Sequence, residues 1–198
     1  MKRLVIILIA LLSLPVFADK AGVGTAAVKS ANDKISGLLK QKVVPGSKEE
    51  KDLAGKVAGS VRDFLDIDEL GKRAMVDQWS KLTAAQQQEF LTTLRDLIED
   101  NYVKGLRSNL DYTVDYTGES VEDGNIVVVT QINTKRHNRP YKIEVDYVLK
   151  KEGGKLKAWD VKTDGVGLVE NYREQFNKIV EKDGFAGLIA KMKKKQQG

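Results

Sequence analysis

Cysteine is absent from the 198 residues, and histidine occurs once, at His137. Without cysteine there is no disulfide framework and no thiolate chemistry. A zinc centre draws on several His or Cys donors, and a single histidine does not supply them. A catalytic triad needs a base oriented beside a nucleophile, yet His137 sits within Lys135-Arg136-His137-Asn138-Arg139, a basic turn between two strand patterns. Gly22-Val23-Gly24 has no strand before it and no Gly-Lys-Ser/Thr after it, so it is not a phosphate loop. The paired carboxylates Asp66/Asp68 and Glu99/Asp100 fall at helix starts or on polar faces, where capping and solvation account for them. These absences argue against an enzyme and against a bound metal or cofactor.

What the chain has first is an address. Met1-Lys2-Arg3 precedes Leu4 to Phe17, an almost unbroken apolar run without charge, and Val16-Phe17-Ala18 offers residues of the kind a signal peptidase reads. That order predicts a secretory signal peptide over residues 1–18 followed by one domain over residues 19–198. The run falls short of the ~20 residues that span a bilayer, and no later segment is apolar enough to do so. The 33 basic residues less Lys2 and Arg3 leave 31 against 28 acidic ones, a net +3. So mild an excess permits an anionic partner without pointing to nucleic acid.

The first half carries helical periodicity. Ile35, Leu38 and Leu39 mark a first helix ending before Pro45. Ser47 with Glu50 forms a capping pair ahead of the stripe Leu53, Val57, Val61, Phe64. Asp66 and Glu69 open a short helix toward Trp79. Thr83 and Gln86 cap another, whose face of Phe90, Leu94, Leu97, Ile98, Tyr102 and Leu106 is broad enough to cover a sheet.

From Tyr112 the period changes to two. Tyr112, Val114 and Tyr116 alternate with polar residues, and Gly118 to Asp123 is expected to turn. Ile126, Val128, Thr130 and Ile132 share one face, as do Tyr141, Ile143, Val145, Tyr147 and Leu149 after the basic turn Lys135 to Pro140. Gly153-Gly154 makes another turn before a strand from Leu156 to Thr163. Helix returns with Leu168, Val169, Tyr172, Phe176, Ile179 and Val180, broken at Gly184 and resumed by Phe185, Leu188, Ile189 and Met192. The expected class is α+β: a curved four-stranded antiparallel meander packed against amphipathic helices. Such a sheet can enclose an apolar cavity as readily as a solid core, and periodicity does not separate the two.

The end of the chain carries a more specific signal. Leu156-Lys157-Ala158-Trp159-Asp160-Val161, Asp164-Gly165-Val166-Gly167-Leu168-Val169 and Tyr172-Arg173-Glu174-Gln175-Phe176 resemble, in order, the closing motifs of the MlaC-type periplasmic phospholipid-binding proteins, also called the toluene-tolerance family. Trp79, the run Leu82 to Phe90 and Tyr102 resemble it too. Leu156 stands where the family has Trp, Trp159 where it has Tyr, and Gly167 where it has Ser. The first two move apolar bulk, and the third removes a hydroxyl near a helix start.

The resemblance implies a periplasmic carrier, without cofactor or metal and monomeric. It would shuttle a diacyl phospholipid between an outer-membrane lipoprotein complex and an inner-membrane ABC transporter complex. Two acyl chains of roughly 30 methylenes, at ~0.8 kcal/mol each, cost on the order of 20 kcal/mol to expose to water, so enclosure is what a carrier contributes. The expected lining is Val128, Ile132, Ile143, Val145, Tyr147, Trp159 and Val161 from the sheet, with Leu94, Leu97, Val169, Tyr172 and Phe176 from helices. Arg173 either meets a ligand or pairs with Asp160 or Asp164. Rival readings are the same cavity holding a hopanoid or fatty acid, and a non-carrier periplasmic adaptor. Intact mass of the exported protein is expected to correspond to a chain beginning at Asp19; retention of residues 1–18 would refute the leader assignment.

Overall fold

The computed structural model describes residues 22–105 and 112–197, so the leader expected over 1–18 and Leu106 lie outside the described residues. Helices α1 (Val23–Leu39), α2 (Lys48–Phe64), α3 (Ile67–Ala74), α4 (Val76–Trp79) and α5 (Ala84–Lys104) precede strands β1 (Thr113–Glu122), β2 (Asn125–Arg136), β3 (Arg139–Glu152), β4 (Lys155–Thr163) and β5 (Val166–Gly167), and α6 (Leu168–Gln197) closes the fold. Among the described residues no helix is long and apolar enough to cross a membrane.

The helix starts are where side-chain chemistry puts them. The Glu50 N–H donates to Ser47 Oγ at 3.1 Å, and the Glu69 N–H to Asp66 Oδ1 at 3.0 Å. Thr83 and Gln86 form a reciprocal capping box. The start of α1 is capped from a distance: Glu119 on β1 accepts from the Thr25 N–H at 2.7 Å and from Thr25 Oγ1 at 2.8 Å. A carboxylate there complements the positive end of the helix dipole.

The sheet is an antiparallel meander in the order β1-β2-β3-β4-β5, the expected four strands plus a two-residue fifth. The turn expected from Gly118 to Asp123 is shorter: β1 runs through Gly118 with an irregularity between Tyr116 and Gly118 and ends at Glu122. Asp123 (φ 48°) and Gly124 (φ 76°) make the reversal. Likewise the basic segment contributes its ends to the strands, since Lys135 pairs with Pro140 and Arg136 with Arg139. Only His137 (φ 51°) and Asn138 (φ 62°) turn, both left-handed as a two-residue hairpin requires. Trp159 is the extra residue of a bulge in β4, where Leu149 opposes Ala158 and Val148 opposes Asp160.

Helices cover one face of the sheet. Val128, Leu149 and Ala158 share a core with Val57, Val61, Leu70, Phe90, Leu94, Phe176 and Leu188, all buried. Gly24 lets α1 sit close: a Cβ there would lie 2.5 Å from Ile126 Cγ2. Phe176 meets Phe90 edge-on at 5.5 Å, Tyr172 stacks on Phe176 at 5.1 Å, and Trp79 closes on Phe90 at 6.3 Å.

The sheet joins its covering helix through Asp160. The buried carboxylate accepts from the Val161 N–H at 2.9 Å and the Val169 N–H at 3.1 Å, fixing the first turn of α6 against β4. Gly167 is a matter of space, because a Cβ there would stand 2.7 Å from Asp160 Oδ2. Arg173 pairs with neither Asp160 nor Asp164. Its guanidinium donates to the Arg73 carbonyl at 2.9 and 3.3 Å, which ties α6 to the end of α3. Asp160→Ala is expected to cost about 2 kcal/mol in denaturant unfolding, through the uncapped buried N–H. Gly167→Ala should cost a similar ~1–3 kcal/mol by overpacking. Because both changes act at one contact, Gly167→Ala should cost clearly less in the Asp160→Ala background; strict additivity would refute the contact.

Candidate functional site: an apolar cleft at the hairpin end of the sheet

Toward the β2–β3 turn the sheet and the helix layer part. Val114, Ile132 and Ile143 stand in one row across β1, β2 and β3. Facing that row are Ile35 and Leu39 of α1, Phe64 at the end of α2 and Tyr102 near the end of α5, with Tyr112, Thr134, Tyr147 and Asn32 completing the walls. The cleft has a volume of about 340 Å³, toward the lower end of the roughly 300–1,000 Å³ typical of small-molecule pockets. The lining is mainly aliphatic and aromatic, and these residues include no nucleophile–base pair. It can hold hydrocarbon, and it offers little else chemically.

Asn32 brings an amide into this mainly apolar space. Asn32 Nδ2 donates to Tyr116 Oη at 3.3 Å, and Tyr147 Oη lies 3.5 Å from Asn32 Oδ1. A single amide thus ties α1 to two strands. The Tyr147 ring also packs against Phe64, with centroids 5.8 Å apart. Burial holds the Tyr147 hydroxyl well above its ordinary pKa, the neighbouring Tyr102 adding to the effect. Burial raises Tyr172 in the same direction. Both hydroxyls therefore remain neutral donors across the physiological range.

Of the residues expected to line a pocket, Ile132, Ile143 and Tyr147 border this cleft. The structure does not bring the others to it. Leu94, Leu97, Val128, Val145, Val169 and Phe176 are buried between sheet and helices, and Tyr172 lies in the aromatic stack with Phe176. Val161 opposes Tyr147 one strand further on. The Trp159 indole N–H donates to Asn125 Oδ1 at 3.0 Å, and the Arg73 guanidinium lies over its ring at 4.0 Å. Sequence reasoning passed over Asn32, Ile35, Leu39, Phe64, Tyr102, Tyr112, Val114 and Thr134. Most of these are apolar positions of the very stripes that mark the elements. Periodicity gave their face but not their height along the sheet. Asn32 carried no signal, being one polar residue among many on a weakly patterned helix.

The family model for the MlaC protein matches residues 29–194 of this chain. The Haemophilus influenzae protein named intermembrane phospholipid transport system binding protein MlaC is 22% identical over 138 residues. That match spans 69% of this chain and 64% of the relative, just under two thirds of the relative's length. A solved phospholipid-binding protein from Ralstonia solanacearum, in complex with a phospholipid, superposes with a TM-score of 0.70 at 23% identity. It covers 87% of this chain and 96% of its own, a likeness of fold.

Because the folded pKa of Tyr147 is raised above its unfolded value near 10, the group's contribution is complete below about pH 10 and is lost as pH rises beyond it. Alkaline unfolding followed by tyrosinate absorbance should therefore show late-titrating tyrosines released together with the fold, Tyr147 among them beside Tyr172. Tyr147→Phe should lower the amplitude of that late component by one tyrosine and leave the remainder; an unchanged amplitude would refute the assignment of Tyr147 to it.

Proposed function

The chain belongs to the MlaC protein family, and from that premise we propose that it is a periplasmic phospholipid carrier working with an ABC-type lipid transport system. It encloses acyl chains and leaves the headgroup in water, and no bond is made or broken. The observation that carries this reading is the cleft itself: an apolar space between helix ends and strand ends, beside a cluster of buried apolar residues. The name of the Haemophilus influenzae relative and the phospholipid held by the Ralstonia solanacearum protein support it.

Ile132, Ile143 and Tyr147 form the sheet wall that a tail meets first. A second chain, or the full length of one, requires the helices to part further from the sheet, because the volume present is small for a diacyl lipid. Parting in that direction brings Val145 and Val161 to the tail next, then Val169, Tyr172 and Phe176, with Leu94, Leu97, Val128 and Trp159 behind them. The Asn32 amide, which bridges helix and sheet across this seam, is the polar contact such an opening must break.

Organic-solvent extraction and mass spectrometry of protein purified from the periplasm should yield phospholipid. Ile143→Glu places a charge in the half-buried cleft wall, where an acyl chain would have to desolvate it. That variant should lose the lipid and keep its circular dichroism. Equal lipid in both proteins, or none in the wild type, would overturn the proposal; a fatty acid or hopanoid in the extract would replace the phospholipid by that ligand.

A further inference from the structure

The cleft and the most basic stretch of the fold lie at the same end of the sheet. Thr134 borders the cleft, and the next rows outward are Lys135 opposite Pro140 and Arg136 opposite Arg139, with the turn beyond them. From Gly124 to Ile143 there is no acidic residue, while Lys135, Arg136, Arg139 and Lys142 are all basic. Lys135, His137, Arg139, Tyr141 and Lys142 are exposed. The first carboxylates in register inward of these bases are Asp115 and Glu144, which share the row of Gln131; Asp115 is engaged by Asn133 Nδ2 at 2.8 Å. The opposite rim repeats the sign: Leu39, a cleft residue, is followed by exposed Lys40 and Lys42.

We infer that the β2–β3 hairpin tip is a docking element for an anionic phospholipid bilayer, which it meets so that the mouth of the cleft faces the headgroup layer. This rests on the carrier reading above, since it gives the cleft a direction. The chemistry favours a lipid surface over an acidic protein. The bases are dispersed along the hairpin and around the rim rather than set in a shaped pocket. Beside them stands a large aromatic, Tyr141, 37% exposed on the same strand as the cleft residue Ile143. Lysine and arginine with an amphipathic ring form the combination that lodges at headgroup level. Apposing the mouth to the bilayer also shortens the path over which hydrocarbon would meet water.

The test is sedimentation of the purified protein with vesicles of phosphatidylglycerol in phosphatidylcholine, against phosphatidylcholine alone. Wild type should bind the anionic vesicles, release them as salt rises, and ignore the neutral ones. The Lys135→Glu/Arg139→Glu variant should bind the anionic vesicles at least about twentyfold more weakly, since each base near such a surface contributes roughly fivefold. Should the reversal disturb the hairpin by circular dichroism, Lys135→Gln/Arg139→Gln removes the charges alone and should show the same direction of loss. Lys194→Glu/Lys195→Glu, at the far end of α6, should bind like wild type. Any one of three results overturns the inference: no sedimentation of wild type with anionic vesicles, which would assign the rim to an acidic protein; unchanged binding in both hairpin variants; or equal weakening by the α6 variant, which would mean net charge alone. Lipid extracted from the same preparations reads the carrier proposal separately. Lipid present with vesicle binding absent fails only the docking surface, and lipid absent with binding present fails only the carrier.

Discussion

Long strands need apolar cover on one face, and helices cannot supply it evenly. β2 and β3 run for 12 and 14 residues, or roughly 41 and 48 Å at the rise of a strand. The 21 residues of α5 span only ~32 Å at the rise of a helix. Where residues of α2, α3, α5 and α6 gather over Leu149 and Ala158, both are fully buried. Toward the β2–β3 turn the helices end, and the row Val114, Ile132, Ile143 is left facing helix ends across open space. The cleft is what remains when cover of one length meets a sheet of another.

That arrangement holds only if the helix layer is fixed at the other end. Glu119 fastens the start of α1, Gly24 lets it approach, and Asn32 ties its middle to Tyr116 and Tyr147. Asp160 performs the corresponding task for α6, with Gly167 leaving room for the carboxylate. Arg173 then joins α6 to the end of α3. Each of these contacts satisfies a helix terminus or a buried polar group from a residue distant in sequence. Walls held by such contacts are ordered before a ligand arrives, so the first part of a tail meets a preformed surface.

The departures from the family's closing motif take on a physical sense in this setting. Gly167, standing where a hydroxyl residue is usual, lies so close to Asp160 that any side chain would collide with its carboxylate. The capping oxygen comes here from the strand instead of from the helix start. Trp159 sits in a bulge, and its indole is occupied by Asn125 and Arg73, so the aromatic bulk that sequence comparison locates in this strand serves its packing in place of the cleft.

How much was legible follows the range of the interactions involved. Helix starts at Ser47, Asp66 and Thr83, the switch from a period of 3.6 to 2 at Tyr112, the antiparallel meander and the α+β class were all in the sequence, because caps, turns and periodicity are written within a few residues. So was the face on which Ile132, Ile143 and Tyr147 lie. The sequence could not say that Val145 and Val128, on that same face, would be buried under helices while Ile143 borders a cleft. Nor could it show that Glu119 caps α1, or that Asn32 bridges two tyrosines. Those facts depend on where a helix stops relative to a strand far away in the chain, a matter of three-dimensional register that local pattern does not encode.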